Sequence, residues 1–267
     1  MQSIADGQNQ IKKLDPEVYV AVVIAGGDGT IHQLMSAIIN CQVHVAIYPF
    51  GTANDLAGEL GIRADWKDIQ NNIIRERTRQ IDLVKVNDSY FATVGGIGIG
   101  SKLTKKVNNL RSRSRTFQFL WKHLKSHMYS AVASKMVLTD KHIYQWLDVY
   151  CEEFEENLKV TSLFVANQNC LGKNLLIAPH AEIDDGLMHI VVLTMNDRFE
   201  LMRLLVNAKK SRIFPANFRF KTKKLTLTSK DNSKIVVFGD GETILESSKV
   251  TFEVLPKKLQ LVCPERT

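Results

Sequence analysis

The chain has 267 residues, 45% of them hydrophobic, and a formal net charge of +7, so it can bury one large core or two ordinary ones. It holds no run near the roughly 18 consecutive apolar residues of a membrane-spanning helix, and the polar start MQSIADGQNQIKKL lacks the apolar centre of a secretory leader. Cys41, Cys151, Cys170 and Cys263 are too scattered for a zinc site or a disulfide framework, so reduced thiols and a cytoplasmic setting are expected.

Val18 to Ala25 (VYVAVVIA) is almost continuously apolar and rich in β-branched residues, the pattern of a parallel-sheet strand buried on both faces. Three glycines, Asp28 and Thr30 follow. Ile31, Leu34, Met35 and Ile38 then recur at the spacing of an amphipathic helix. Val43 to Tyr48 predicts a second strand, followed by the loop PFGTAND and a helical AGELG. Strand, loop and helix thus occur twice, each loop with a Gly-Thr pair, and this part is expected to be α/β.

After about residue 80 the texture changes to short strands: Ile81–Val86, Ser89–Val94, Trp146–Tyr150, Val160–Ala166, Met188–Thr194, Lys224–Thr228, Lys234–Phe238, Val250–Val254 and Leu259–Val262. Helices are expected only over Lys102–Val132 and near Arg198–Lys209. The expected architecture is an α/β nucleotide-binding domain over 1–80 and a mostly antiparallel β domain over 81–267, with a cleft between them.

A glycine-rich turn between a buried strand and a helix presents unhindered backbone N–H groups at the positive helix end, where phosphate binds. A tight turn that needs glycine only for its backbone angles is the plain alternative. Asp28 bears on the choice, because a carboxylate repels phosphate unless a cation stands between them or it moves a proton. Mg²⁺ bridging carboxylates, water and phosphate oxygens is the ordinary solution. In the second loop, Gly51 and Thr52 can approach phosphate, while Asn54 and Asp55 can hold a metal's water shell or cap the next helix. Both loops sit at the C-terminal ends of predicted parallel strands, where open α/β sheets place ligands.

GGDGT, with PFGTANDLAGELGI about twenty residues later, resembles the diacylglycerol kinase catalytic-domain family, which includes bacterial lipid kinases and sphingosine kinases. VGGIGIG (Val94 to Gly100), APHAEIDDGLMHIVVL (Ala178 to Leu193) and GDGE (Gly239 to Glu242) extend the resemblance towards the C-terminus. GGDGT alone is shared with NAD kinases, whose nucleotide domain is similar; the combination is specific for lipid kinases. The resemblance implies transfer of the ATP γ-phosphoryl group to a lipid hydroxyl, with diacylglycerol, phosphatidylglycerol or a sphingoid lipid as acceptor. It places Gly26, Gly27, Gly29, Thr30 and Thr52 at the nucleotide, and Asp28 and Asp55 around Mg²⁺ and its water. Glu242 matches the acid that accepts the lipid hydroxyl proton, and Asp28 shares the catalytic role. Asp185 matches a ligand of a structural Mg²⁺, completed by the backbone carbonyls of Glu182 and Leu187.

From the residues alone, Glu242 also suits an exposed turn carboxylate, and Asp185 a plain Asp-Gly hairpin residue. Two departures from the family pattern stand out. Its usual Asn-Glu after the GGDGT loop is replaced by His32 and Gln33, and its first strand with an Asn-Pro-x-x-Gly loop is not found in the 25 residues before Gly26. A shortened member or a fragment is expected. NAD phosphorylation and a non-catalytic nucleotide- or lipid-binding relative are the alternative readings.

The positive charge is concentrated. Nine Lys or Arg and no Asp or Glu lie between Ser101 and Lys135; removing those nine from 35 leaves 26 basic residues against 28 acidic ones. Arg111, Arg113 and Arg115 alternate with Ser and precede Phe117, Phe119, Leu120 and Trp121. Cations beside aromatic residues suit the interface of an anionic membrane, and a solvated helix packed on the β domain uses the same pattern. No nucleic-acid motif accompanies the segment, nothing bears on oligomeric state, and peripheral membrane association is expected. His32, His44 and His123 lack ligand spacing and receive no role.

Overall fold

The apolar stretch before the glycines forms β1 (Ala21–Gly26), which pairs in parallel with β2 (His44–Pro49), Gly26 lying opposite Pro49. The computed structural model describes residues 3–113, 131–140, 143–172, 175–195, 197–203 and 213–265. β1 begins three residues later than its sequence pattern suggests. Asp15 claims the intervening segment: its carboxylate accepts the Glu17 N–H and its carbonyl those of Val18 and Tyr19. Val18, Tyr19 and Val20 are left exposed.

Two helices escape the sequence reading. α1 (Ile4–Lys12) carries apolar residues only at its ends, and it is started by Ser3, whose hydroxyl accepts the Asp6 N–H. It lies on α2 (Asp28–Ile38), with Gln8 donating to the Gln33 carbonyl. α3 (Asp55–Glu59) is a short turn after the second glycine loop. α4 (Trp66–Ile74), capped by Asp65, buries Ile69 against Ala46 and Val262. The β1–β2 corner therefore has helices on both faces, as a parallel pair requires.

The remaining strands make a sandwich. One eight-stranded sheet runs β1-β2-β16-β13-β6-β7, with β3 (Thr78–Val86) pairing β16 and β4 (Ser89–Phe91). Its other members are β6 (Gln145–Cys151), β7 (Glu155–Val160), β13 (Lys224–Ser229) and β16 (Lys249–Val262). The second sheet runs β12-β11-β8-β5-β14-β15, built from β5 (Val94–Gly98), β8 (Ser162–Ala166), β11 (Met188–Leu193), β12 (Phe218–Thr222), β14 (Ile235–Gly239) and β15 (Glu242–Ser247). A small hairpin joins β9 (Cys170–Leu171) and β10 (Leu175–Leu176). Alternating residues such as Leu225, Leu227, Leu147 and Val149 meet Ile97, Val165, Ile190 and Val237 between the sheets. α5 (Ile99–Arg113) and the helices over 131–139 and 198–203 lie beyond the second sheet, whose outer face packs Phe164, Val191 and Phe238 with Val137 and Leu201. An α/β N-terminal part joined to a mostly antiparallel β part is the expected fold class.

The division of the chain is less simple than a cut at residue 80. β3 runs through that position, and the two strands expected over Val250–Val254 and Leu259–Val262 are one strand with an irregularity between Leu255 and Leu259. Pro256 and Lys257, the latter at φ +52°, absorb the bend. Beyond it, Leu261 and Val262 pair in parallel with Val45 and Ala46 of β2. The C-terminal strand therefore closes the N-terminal core, where Leu259, Leu261 and Cys263 pack with Ile24, Leu34 and Ile47. Leu261→Ala should lower unfolding free energy in a urea titration by about 2–5 kcal/mol. Leu227→Ala, whose cavity opens between the two sheets instead, should cost a similar amount.

Candidate active site

The parallel register brings the two glycine loops to the same edge of β1 and β2, and there they touch. A Cβ on Gly27 would stand 2.7 Å from the Gly51 Cα, and one on Gly51 2.4 Å from the Gly27 Cα, so neither position admits a side chain. The Phe50 N–H donates to the Gly26 carbonyl at 2.9 Å, fastening the second loop to the first. Asn54, in the left-handed region at φ +50°, folds that loop back on itself. Its Oδ1 accepts the Gly51 N–H at 2.9 Å and its Nδ2 donates to the Gly51 carbonyl at 3.1 Å. Both ends of the amide are thus spent on shaping the loop. Thr52 is exposed beside it.

Asp28 is the first residue of α2, and its carboxylate accepts backbone N–H groups of Leu56 and Asp55 at the start of α3. Burial, with the charges of Asp55 and Asp240, pushes its carboxyl from 3.8 up to about 6. Asp55 Oδ2 in turn accepts the Gly172 N–H at 2.8 Å.

The third contribution comes from the far end of the chain. β14 and β15 are joined by Asp240 and Gly241 at φ +53° and +78°, a two-residue turn of the kind Asp-Gly favours. Glu242 follows as the first residue of β15. Its Oε1 lies 3.3 Å from where a Gly29 Cβ would stand, so the carboxylate abuts the first glycine loop. Its Oε2 accepts from Asn108 Nδ2 of α5 at 3.0 Å. Asp240 secures the turn: Oδ1 accepts the Thr93 N–H at 2.9 Å and the Thr93 hydroxyl at 2.7 Å, both oxygens lie 3.2 Å from the Ala92 N–H, and Oδ2 lies 3.2 Å from His32 Nδ1. Burial pulls the His32 imidazole down, but its hydrogen bond to Asp240 and the charges of Asp240 and Glu242 outweigh that and raise it overall.

His32, Asp240 and Asn108 are the site residues that sequence reasoning missed. His32 stands one helical turn after Asp28 and so shares its side of α2, a usable sign had its partner been known. Arg115 and the side chains of Arg111 and Arg113 lie outside the described residues. No helix among the described residues is long and apolar enough to cross a membrane.

The two expected metal sites differ in how their residues suit a cation. Among the described residues, no three His, Cys, Asp or Glu side chains converge into a ready-made metal shell. The surplus of negative charge around Asp28 nevertheless fits Mg²⁺, which keeps several waters and completes its coordination with substrate phosphates. The turn holding Glu182, Asp185 and Leu187 fits a metal poorly. Asp185 Oδ1 accepts the Leu187 N–H at 3.0 Å and Oδ2 lies 2.9 Å from His189 Nε2. Arg79 reaches Asp184 Oδ2 through Nε at 2.9 Å and Nη2 at 2.8 Å, while buried Asp82 accepts the Gly186 and Lys257 N–H groups at 2.6 and 2.7 Å. Protein donors already hold the acids of this turn.

Residues 1–86 match the diacylglycerol kinase catalytic domain, and residues 93–263 match the YegS C-terminal NAD kinase beta sandwich-like domain. Over 248 residues the chain is 27% identical to a Shewanella frigidimarina protein described as a "probable lipid kinase YegS-like", covering 91% of this chain and 76% of that one. It is 25% identical to a diacylglycerol kinase of Mycobacterium tuberculosis over 236 residues, 83% of this chain and 70% of the other. A crystal structure of a diacylglycerol kinase from Bacillus anthracis shares the fold, with TM-score 0.74 and 18% identity over 99% of this chain and 84% of that one.

Because folded Asp28 keeps its proton up to about 6 and the unfolded chain releases it near 3.8, stability falls as pH rises between those values. Above pH 6 the ionised side chain costs on the order of 3 kcal/mol. Asp28→Asn should therefore raise the Tm of the ligand-free protein at pH 7.5 and shrink the Tm difference between pH 5 and 7.5. If the Asp185 turn takes no metal, millimolar Mg²⁺ should leave the Tm of Asp28→Asn unchanged within about 1 °C, since only a ligand of the native state shifts it.

Proposed function

Since the chain belongs to the diacylglycerol kinase catalytic-domain family, with a YegS-type β domain completing it, we propose that it transfers the γ-phosphoryl group of ATP to the hydroxyl of a membrane lipid. The observation that carries this reading is Glu242 Oε1 against Gly29: a carboxylate from the β domain beside a loop built for phosphate. In this reading the backbone of Gly26, Gly27 and Gly29, with Thr30 and Thr52, receives the ATP phosphates. Asp28 and Asp55 hold the water shell of Mg²⁺. When bound, that ion supplies neutralisation of the phosphate charge that builds up in transfer.

The lipid hydroxyl oxygen forms a bond to the γ-phosphorus while the bond from that phosphorus to the β-phosphate oxygen breaks, releasing ADP. Glu242 accepts the hydroxyl proton as the new bond forms. Phosphoryl transfer asks little else of a protein beyond positioning and charge balance. The acceptor is diacylglycerol, phosphatidylglycerol or a sphingoid lipid, and the work is done at a membrane to which Arg111, Arg113 and Arg115 draw the protein from the cytoplasm. Phospholipid metabolism is the setting.

Incubation with γ-labelled ATP, Mg²⁺ and vesicles holding each of the three lipids should label one of them. Glu242→Gln and Asp28→Asn should each lower turnover about 10²- to 10⁴-fold while the circular dichroism spectrum is kept. Near-normal turnover in either variant would remove its assigned role. ATP binding by calorimetry without labelling of any lipid would favour the non-catalytic alternative.

A further inference from the structure

α5 presents Lys102, Lys105 and Asn108 at three-residue intervals, and each side chain is committed to a different contact. Lys102 Nζ lies 3.2 Å from Asp140, just after the helix over 131–139. Lys105 Nζ pairs with Glu246 of β15. Asn108 Nδ2 reaches the start of β15, 3.3 Å from the Gly241 carbonyl and 3.0 Å from Glu242 Oε2. Among the described residues the helix is thus tethered to the hairpin that carries Glu242 through Lys105 and through Asn108, and Asn108 is the one of this pair that touches the carboxylate itself.

The two ends of this hairpin turn are fixed differently. Asp240, bonded to Ala92, Thr93 and His32, sets where the backbone of the turn lies. It does not set how the Glu242 side chain is rotated. Three torsions separate the Glu242 carboxylate from that backbone, and a free carboxylate would present either oxygen in many directions. With Oε2 held from the α5 side, Oε1 is the oxygen against Gly29.

We propose that Asn108 is a positioning residue for phosphoryl transfer: its amide holds Glu242 Oε2 so that Oε1 is the oxygen that takes the proton of the acceptor hydroxyl. The chemistry suits an amide. A lysine in its place would add a positive charge and an aspartate would repel it; a neutral N–H donor orients it without adding a charge. This inference rests on the lipid-kinase reading and adds to it which oxygen reacts and what aims it.

Asn108→Asp keeps the shape and removes the donor, Asn108→Leu removes both polarity and donor, and Lys105→Met cuts the neighbouring tether alone. Both Asn108 variants should lower kcat about 10- to 100-fold, the cost expected of a base that is present but misaimed. KM for ATP should stay within about twofold and the melting temperature within a few degrees, and Lys105→Met should keep kcat within about twofold. Either Asn108 variant turning over within about twofold of the unaltered protein would overturn the proposal. So would an equal loss in Lys105→Met, which would mark both contacts as packing tethers. Failure of the unaltered protein to label any lipid would instead defeat the lipid-kinase reading, and this inference with it.

Discussion

Gathering Asp28, Asp55, Asp240 and Glu242 around two touching glycine loops is unfavourable in the protein by itself. Burial, with the charges of Asp55 and Asp240 adding to it, makes Asp28 hold its proton up to about 6. The fold offsets part of this with donors. Asp240 collects N–H and hydroxyl groups from Ala92 and Thr93 and the imidazole of His32, Asp28 the amides of Leu56 and Asp55, and Asp55 the amide of Gly172. In the proposed reading, a cation that arrives with phosphate relieves the remaining repulsion.

Holding that cluster together is a problem of topology, because its members are remote in sequence; His32 and Asp240 are 208 residues apart. The solution is the path of β16. One strand pairs with β13 and β3 inside the sandwich, bends at Pro256 and Lys257, and ends beside β2 under the glycine loops. The same bend places the Lys257 N–H on the Asp82 carboxylate, next to the 184–186 turn. The first sheet carries the glycine loops, and Asp240, bonded to Ala92, Thr93 and His32, ties the β14–β15 hairpin of the second sheet to them.

Much of this was legible in the sequence where a local pattern reports a local outcome. The apolar runs before Gly26 and Pro49 became the parallel pair, the alternating segments became sandwich strands, and the Asp-Gly pair at 240–241 became a hairpin turn. α1 depends on the Ser3 cap more than on periodicity, while α4 is a nine-residue helix whose Trp66, Ile69 and Ile73 follow the Asp65 cap at helical spacing. Val18 to Val20 have strand composition, and a single acidic residue diverts them. His32 looked inert because its partner lies near the other end of the chain. Asn108 carried no sign at all, since an amide on a basic helix becomes informative only when its neighbour is known to be Glu242.

The two acidic clusters of the molecule show why composition alone does not make a metal centre. Asp82, Asp184 and Asp185 also come close enough for their charges to act on one another, and burial with that neighbouring charge raises Asp82 as well. Their carboxylates, however, are matched by a guanidinium, an imidazole and three backbone amides. Such a turn is closed: an entering cation would have to displace a donor that is already well placed, and it gains little. Around Asp28, the charges of Asp55 and Asp240 add to burial in raising its carboxyl, and the His32 imidazole is bonded to Asp240. In the proposed reading a divalent ion arriving with its phosphates relieves that repulsion, and this separates the centre at Asp28 from the turn at Asp185.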